Sequence, residues 1–228
     1  QDGYHNIETV FYPIKLKDAL EVLPTKNMLP YVLHESGLMS NSKPEHNLVI
    51  QALNIIREER ELPNLDIHLL KTIPSGAGLG GGSADGAFML RLLNEKFQLG
   101  FSKERLQQLA YRLGADCSFF INNRPAIATG IGNELEEVDI NLDHLYLVVV
   151  KPNVSVSTTE AYSHITLQSV TQSLKEVISL PITEWKDKMH NDFEPYVFAK
   201  YPVVEDIKNE LYNLDALYAS MSGSGSAV

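Results

Sequence analysis

The chain has 228 residues, of which 44% are hydrophobic and 21% charged, a balance typical of globular proteins with a sizeable core. Its formal net charge of -10 argues against a nucleic-acid groove, because binding to a phosphate backbone rests on clustered lysine and arginine. A single cysteine, Cys117, excludes an intrachain disulfide, and no apolar run approaches the ~20 residues that span a bilayer. From the acidic charge and the short apolar runs we expect no nucleic-acid or membrane partner, and from the lack of a visible signal peptide we expect a cytoplasmic protein.

The first half of the chain is predicted to mix strands and helices. Residues 7–16 and 19–22 have extended apolar patterns, whereas residues 31–44 lack a clear pattern and are predicted to form a loop. Residues 65–73 alternate apolar and polar side chains over their first half, which is typical of a half-exposed strand in an antiparallel sheet. Further strands are predicted at residues 117–121, 126–128 and 145–151, and helices at residues 47–61, 83–97 and 102–113. Ser102 is predicted to be the N-cap of the last of these helices.

After Pro152 the pattern changes to short helical segments with polar connections. Helices are predicted at residues 158–164, 170–178, 182–189 and 203–214, and a short strand at residues 218–221. We therefore predict an α+β fold of two domains, residues 1–152 and 153–228, with helices packed against antiparallel sheets. Both domains are expected to continue beyond the given sequence, because neither Gln1 nor Val228 reads as the natural end of an element.

A glycine-rich segment separates the strand at residues 65–73 from the helix at residues 83–97. Five of the seven residues 76–82 are glycine, which permits positive φ angles and keeps side chains away from the backbone N–H groups. Such N–H groups, together with the positive end of the following helix, can bind a phosphate. Ser83 is predicted to cap that helix or to place its hydroxyl on a phosphate or its Mg²⁺. A flexible surface loop is the structural alternative, but flexible linkers mix glycine with serine and lack a flanking strand and helix.

Two common phosphate-binding patterns do not fit this segment. The Walker A pattern needs a lysine directly after the last glycine, and no lysine follows Gly82. The dinucleotide pattern GxGxxG is matched by Gly76, Gly78 and Gly81, but a Rossmann first strand is buried on both faces and does not alternate. No acidic residue ends a second strand about 20 residues later, because Glu95 lies within the predicted helix. An NAD-dependent dehydrogenase is therefore disfavoured.

The segment from Pro74 to Ser83 has the pattern Pro-x-x-x-Gly-Leu-Gly-Gly-Gly-Ser, which resembles the phosphate loop of the GHMP kinases. Other segments resemble the branch of this family that acts on a cytidine-diphosphate-linked methylerythritol, and together they span nearly the whole chain. They are residues 2–5 (DGYH), 45–49 (EHNLV), 113–117 (LGADC) and 221–226 (MSGSGS). The chain departs from that pattern at Ser118, where proline is usual, and at Gly86, where alanine is usual. Glycine within a helix is less favourable than alanine by about 1 kcal/mol, but neither change removes a chemical group.

The resemblance implies a two-domain kinase whose active site lies in the cleft between the domains. It implies phosphoryl transfer from ATP, with Mg²⁺, to the 2-hydroxyl of a small cytidine-diphosphate substrate, a step of the non-mevalonate isoprenoid pathway. No protein ligand for a metal is assigned, and we expect a monomer or a weak homodimer. The ATP-binding positions that the resemblance implies are Pro74, Gly76, Gly78, Leu79, Gly80, Gly81, Gly82, Ser83 and Asn47.

The resemblance also implies that Asp116 is the catalytic base, with a partner lysine expected upstream of Asp2. Without the motif, an aspartate after a helix is more often a cap or a solvated turn residue. Its position between Ala115 and the largely apolar residues 117–120 indicates a partly dry site, in which a carboxylate can act as a base.

Tyr4 and His5 match the pair that recognises cytosine, by stacking on the base and by hydrogen bonding to its edge. A packed tyrosine and an ordinary turn histidine are the structural alternative. Thr158 and Tyr162 match, in a looser pattern, a substrate-contacting hydroxyl and a second stacking aromatic. Asn47 matches an adenine contact and is equally well explained as the N-cap of the helix that follows it.

Two other functions stay open on the sequence. Another GHMP kinase, acting on mevalonate, homoserine or a sugar, would keep the loop and ATP but would lack a cytosine site. A non-catalytic nucleotide-binding or interaction module is the second alternative, and the presence of both the glycine loop and Asp116 argues against it.

Overall fold

The computed structural model of the protein describes residues 7–38, 43–165 and 172–228. The chain forms two compact units, one of Gln1–Ser75 with Gly80–Val138 and one of Gly76–Leu79 with Asp139–Val228. The domain boundary predicted after residue 152 stays a prediction. No helix in the described ranges is long and apolar enough to cross a membrane.

The described part of the first unit contains two three-stranded sheets. Its strands are β1 (Thr9–Phe11), β2 (Ala19–Pro24), β3 (Tyr31–Gly37), β4 (Leu65–Lys71), β5 (Ala126–Thr129) and β6 (Glu134–Glu137). One sheet has the order β1-β5-β6 and is antiparallel throughout. The other has the order β2-β4-β3, in which β4 runs antiparallel to β2 and parallel to β3, so this sheet is mixed.

The alternation predicted for β4 is confirmed, because the side chains of Leu65, Ile67 and Leu69 are buried on one face of the sheet. The prediction of a loop over residues 31–44 is wrong, since β3 occupies its first half. β3 is only partly buried and therefore carries little apolar alternation. Its conformation follows from parallel pairing with β4, which supplies backbone hydrogen bonds along its length.

The helices of the first unit are α1 (Leu48–Arg57), α2 (Gly81–Lys96), α3 (Lys103–Leu113) and α4 (Cys117–Asn122). Buried side chains of α1, α2 and β4 form most of one core, in which Ile50, Leu53 and Leu90 are fully buried. Each such side chain contributes about 1.5–3 kcal/mol through burial. Ser102 is the N-cap of α3 as predicted, because its Oγ accepts a hydrogen bond of 3.2 Å from the Arg105 N–H.

The strand predicted at residues 117–121 is wrong, because this segment forms α4. A short apolar run has no period that separates a strand from a buried helix, so tertiary packing decides. Phe119 packs its ring 4.9 Å from the ring of Phe11 in β1, measured between centroids. Cys117 and Ile121, on α4, are buried in the core formed with α1, α2 and β4, so α4 packs as a helix against other helices and contacts β1 through Phe119.

The second unit is mainly helical in its described residues. Its helices are α5 (Thr158–Ser163), α6 (Leu174–Val177), α7 (Glu194–Lys200) and α8 (Pro202–Asn213), with a 3-10 helix at Ile182–Asp187. α5 and α8 were predicted, and α7 was not. α6 is shorter than the helix predicted at residues 170–178, because Ser173 caps it, and residues 170–171 lie outside the described residues. A small core combines Val156, Ala161, Val197, Val204 and Met221.

Two predicted strands of the second unit are not strands. Among the described residues, Val150 is the only one within 145–151 that pairs with a distant segment, exchanging backbone hydrogen bonds of 2.8 and 3.0 Å with Val228. Tyr146 is fully exposed, so the buried strand predicted here is wrong. The strand predicted at residues 218–221 is also wrong. Instead of pairing with a neighbouring strand, Ala219 hydrogen-bonds to the Tyr212 hydroxyl, which donates to its carbonyl and accepts from its N–H, both at 3.1 Å.

Candidate active site

The N-terminus of α2 offers hydrogen-bond donors that no side chain caps. Gly80 is the N-cap, with φ of 65°, and the first hydrogen bond of the helix runs from the Ala84 N–H to the Gly80 carbonyl at 2.8 Å. Within the described residues, the N–H groups of Gly81, Gly82 and Ser83 have no protein acceptor. The first turn carries no acidic residue, and α2 is 16 residues long. Uncapped donors at the positive end of a long helix bind anions such as phosphate.

Space for an anion lies beside the second of these N–H groups. A Cβ on Gly80 would lie 2.9 Å from the ring of Phe120, and a Cβ on Gly81 would lie 2.7 Å from the Ile73 side chain. A Cβ on Gly82 would meet no described atom within 4 Å. Protein packing therefore requires glycine at positions 80 and 81, whereas position 82 faces room that a ligand can fill.

Ser83 is not the cap that was predicted, because α2 begins at Gly81 and Ser83 is its third residue. Its hydroxyl hydrogen-bonds with the thiol of Cys117, which is fully buried. Burial raises the pKa of this thiol to about 11, so it carries no thiolate near neutral pH. Cys117 is a packing residue rather than a nucleophile.

Asp116 lies at the N-cap position of α4, but its side chain caps no N–H group of that helix. Asp116 is exposed to solvent, and its carboxylate has no hydrogen bond or ion pair with a described residue. The surrounding protein still desolvates the carboxyl and raises its pKa. A carboxylate that is accessible, uncommitted and more basic than usual suits proton abstraction.

Gly76–Leu79 contacts the glycine-rich segment near the chain's end, within the second unit. The Ser222 hydroxyl donates to the Gly78 carbonyl at 2.9 Å, and the Ala227 N–H donates to the Ala77 carbonyl at 3.0 Å. A Cβ on Gly78, where φ is 75°, would lie 1.9 Å from the Ser222 carbonyl oxygen. Glycine at position 78 is thus required by this close backbone approach.

Asn191 holds the glycine-rich segment at residues 221–226 in place, a role that the sequence analysis did not predict. Its side-chain amide donates to the carbonyls of Met221 and Gly223, at 2.7 and 2.8 Å. A lone asparagine 30 residues from its partner carries no local signal, so no sequence pattern points to this role.

The structure brings Thr158 to the glycine-rich segment at residues 221–226, and Tyr162 lies on the same helix, α5. Thr158 Oγ1 lies 3.0 Å from Ser224 Oγ. The Tyr162 ring meets the Phe193 ring edge-on, with 4.8 Å between centroids. Tyr4 and His5 lie outside the described residues.

Asn47 is the N-cap of α1, as its structural alternative predicted. Its Oδ1 accepts from the Val49 N–H at 2.9 Å, and its Nδ2 donates to Glu35 Oε1 at 2.8 Å. The adenine contact stays a prediction.

Sequence reasoning missed an ion cluster of Lys71, Asp18 and Asp85. Lys71 Nζ contacts Asp85 Oδ2 at 2.6 Å and also contacts Asp18 Oδ2. The available signal was the position of Lys71, a lysine on the buried face of β4 in register with Leu65, Ile67 and Leu69.

The pKa values of the cluster follow from burial and pairing. Burial raises the pKa of Asp85 to about 6, against the opposing effect of the Lys71 ammonium. Burial also disfavours the ionised forms of Asp18 and Lys71, but their hydrogen-bond and charge partners outweigh it. Lys71 and two backbone N–H groups lower the pKa of Asp18. The carboxylates of Asp18 and Asp85 raise the pKa of Lys71.

Comparison with known proteins places this site in a family. Residues 47–124, which contain the glycine loop, α2 and Asp116, match the GHMP kinases N terminal domain, and residues 173–228 match the GHMP kinases C terminal domain. A 4-diphosphocytidyl-2-C-methyl-D-erythritol kinase of Bacteroides fragilis is 56% identical over 228 residues, covering 100% of this chain and 83% of that protein. The chain belongs to the GHMP kinase family. A kinase of the same name from Parabacteroides distasonis is 53% identical over 227 residues, with the same coverage of both chains.

Solved structures agree with the GHMP kinase fold. The crystal structure of a 4-(cytidine 5'-diphospho)-2C-methyl-D-erythritol kinase has a TM-score of 0.80 and 29% identity, covering 100% of this GHMP kinase and 81% of that chain. A homoserine kinase from Cytophaga hutchinsonii has a TM-score of 0.71 and 16% identity, covering 100% and 85%, which is a likeness of fold alone. The predicted family and α+β fold class are confirmed.

Proposed function

We propose that this GHMP kinase transfers the γ-phosphoryl group of ATP to the 2-hydroxyl of 4-diphosphocytidyl-2-C-methyl-D-erythritol, a step of the non-mevalonate isoprenoid pathway. Relatives that carry the name of this activity support the substrate, since they are 50–56% identical over the whole chain. The structural observation that carries the kinase reaction is the uncapped N-terminus of α2 beside open space at Gly82.

Phosphoryl transfer needs positioned charge more than covalent chemistry from the protein. The free N–H groups of Gly81, Gly82 and Ser83 are donors for the phosphate oxygens of ATP, and the dipole of α2 adds to their effect. The acceptor oxygen forms a bond to the γ-phosphorus while the bond from that phosphorus to the ADP oxygen breaks. The proton of the acceptor hydroxyl passes to the carboxylate of Asp116, whose raised pKa favours its acceptance.

Mg²⁺ is proposed as the companion of ATP. It neutralises charge on the phosphates and is usually held by one or two protein oxygens, several waters and the phosphates themselves. In the described ranges no group of three or more His, Cys, Asp or Glu residues is placed to hold a metal. We propose that the ion arrives with the nucleotide, and the Ser83 hydroxyl would be its candidate protein oxygen.

The hydroxyl of Thr158 is proposed to contact the substrate. Tyr4 and His5 are proposed to recognise its cytosine, with Tyr162 as a second aromatic that stacks on the base. In support, Thr158 shares a hydrogen bond with Ser224, in the glycine-rich segment at residues 221–226. We propose that the protein acts on this small molecule in the cytoplasm as a monomer or a weak homodimer.

The test is ADP release by the full-length protein with Mg-ATP and 4-diphosphocytidyl-2-C-methyl-D-erythritol, with mevalonate and homoserine as alternative acceptors. Asp116→Asn should lower kcat by about 10²–10⁴-fold while ATP still binds. Asp206→Asn, on the exposed side of α8, is the matched control and should keep full activity.

Turnover with the cytidine substrate alone, lost in Asp116→Asn, supports both the substrate and the base. Turnover with mevalonate or homoserine instead would keep the kinase and overturn the substrate. ATP binding without turnover of any acceptor would favour a nucleotide-binding module.

A further inference from the structure

Lys71, Asp18 and Asp85, called here the Lys71 cluster, are a buried set of charges next to the start of α2. Their side chains are only 6%, 5% and 9% exposed. The Lys71 ammonium lies 3.6 Å from the point where a Cβ on Gly81 would stand. The charged end of Lys71 is therefore adjacent to the first residue of the helix whose N–H groups are proposed to bind phosphate.

Each carboxylate of the cluster holds a different side of the glycine loop. Asp18 Oδ1 accepts from the N–H groups of Thr72 and Ile73, at 2.5 and 2.8 Å, directly before Pro74. Asp85 belongs to α2 and lies two residues after Ser83. Because Lys71 contacts both carboxylates, it links the end of β4 to the start of α2. The glycine loop connects these two elements.

Stability alone does not explain these charges. Buried ion pairs are often no more stabilising than apolar side chains of the same volume, because desolvation offsets much of their attraction. The raised pKa of Asp85 shows that its ionised form is unfavourable where it lies. Rigid geometry is what such a cluster supplies, and donors that bind a transferring phosphoryl group work best when their positions are set in advance.

We propose that Lys71 is a positioning residue for nucleotide binding: by joining Asp18 to Asp85 it sets the N–H groups of Gly81, Gly82 and Ser83 at a fixed position relative to the end of β4. The proposal rests on the proposed phosphate site at α2. Lys71 itself is fully engaged by carboxylates and acts through the backbone of α2.

The decisive variant is Lys71→Met/Asp85→Asn, tested by calorimetric binding of Mg-AMPPNP without any acceptor. Methionine keeps much of the lysine's aliphatic volume, and the second change removes the carboxylate that would otherwise be left unpaired. Asp18 keeps its two backbone donors, so we expect a folded protein. The Kd for Mg-AMPPNP should rise by about tenfold or more. Lys71→Met alone is the more severe change and is used only if it folds.

Two readouts separate positioning from a purely structural role. In the wild type, Mg-AMPPNP should slow hydrogen exchange of the amides of residues 81–83, and in the double variant this protection should be lost. In turnover assays KM for ATP should rise while KM for the cytidine substrate stays unchanged. Lys188→Met/Glu184→Gln, which removes an exposed pair with the same charges, is the matched control and should behave as the wild type.

A folded double variant that binds Mg-AMPPNP with wild-type affinity and shows normal amide protection would overturn the positioning role while leaving the proposed kinase activity intact. A wild-type protein that binds Mg-AMPPNP but phosphorylates a different acceptor would overturn the substrate and leave the positioning role intact. A wild-type protein that binds no Mg-AMPPNP would overturn both.

Discussion

The backbone of Gly78 lies so close to Ser222 that a Cβ on Gly78 would fall 1.9 Å from the Ser222 carbonyl oxygen. Gly78→Ala should therefore separate these segments and lower the free energy of unfolding by about 2 kcal/mol or more, measured by urea unfolding. Gly100→Ala is a matched control, because Gly100 has the same φ of 75° but no described atom within 4 Å of an added Cβ. The control should lose only the cost of the left-handed backbone, about 1 kcal/mol. Equal losses in the two variants would contradict the close approach.

Gly82→Ala should affect nucleotide binding without harming the fold. An added Cβ meets no described atom within 4 Å, and alanine is more favourable than glycine within a helix by about 1 kcal/mol. The melting temperature should therefore stay the same or rise. KM for ATP should increase about tenfold or more, because the methyl group occupies the space proposed for phosphate. Unchanged KM would place the phosphates elsewhere.

Gly86→Ala should destabilise the protein, although intrinsic helix propensity favours alanine. A Cβ on Gly86 would lie 3.0 Å from Leu48 Cβ and 3.3 Å from the Leu48 carbonyl oxygen. Both atoms belong to the first turn of α1 and cannot rotate away, so the helices must separate. We expect a net loss of about 1 kcal/mol in urea unfolding. A gain in stability would show that α1 shifts to make room.

Asp85→Asn should make stability less dependent on pH. The pKa of Asp85 is raised by burial from 3.8 to about 6, so the folded state binds this proton more tightly than the unfolded chain. The contribution of Asp85 to stability therefore falls as pH rises from 3.8 to about 6 and is constant above that. Relative to the wild type, the variant should gain free energy of unfolding over this range, by up to about 3 kcal/mol at neutral pH. A difference that does not change with pH would contradict the raised pKa.

The pH profile of kcat/KM should report Asp116. Its carboxylate must be unprotonated to accept the hydroxyl proton, so activity should fall as pH drops through its pKa. Because desolvation raises that pKa, the fall should begin at a higher pH than for an ordinary aspartate. The residual activity of Asp116→Asn should lack this limb. If kcat/KM of the variant fell in the same way at low pH, that fall would have to be assigned to another group.

Several elements could be predicted from the sequence because their signals are local. The alternation of β4, the N-cap at Ser102 and the glycine loop followed by α2 all depend on residues within one or two turns of each other. The same motifs carry the resemblance to the GHMP kinases. The start of α2 was misjudged by two residues, because the helix begins with glycine and not with the serine that was expected to cap it.

The rest depended on contacts between distant residues. β3 takes its conformation from β4, and the apolar residues of α4 are buried against other helices. Residues 145–151 lack partners along most of their length among the described residues. The Lys71 cluster joins Asp18 to a helix that begins 63 positions later, at Gly81. Capping and periodicity act over a few residues and are written in the local sequence. Strand pairing, burial and the pKa of a buried carboxyl depend on which distant segments meet, and only the tertiary structure decides that.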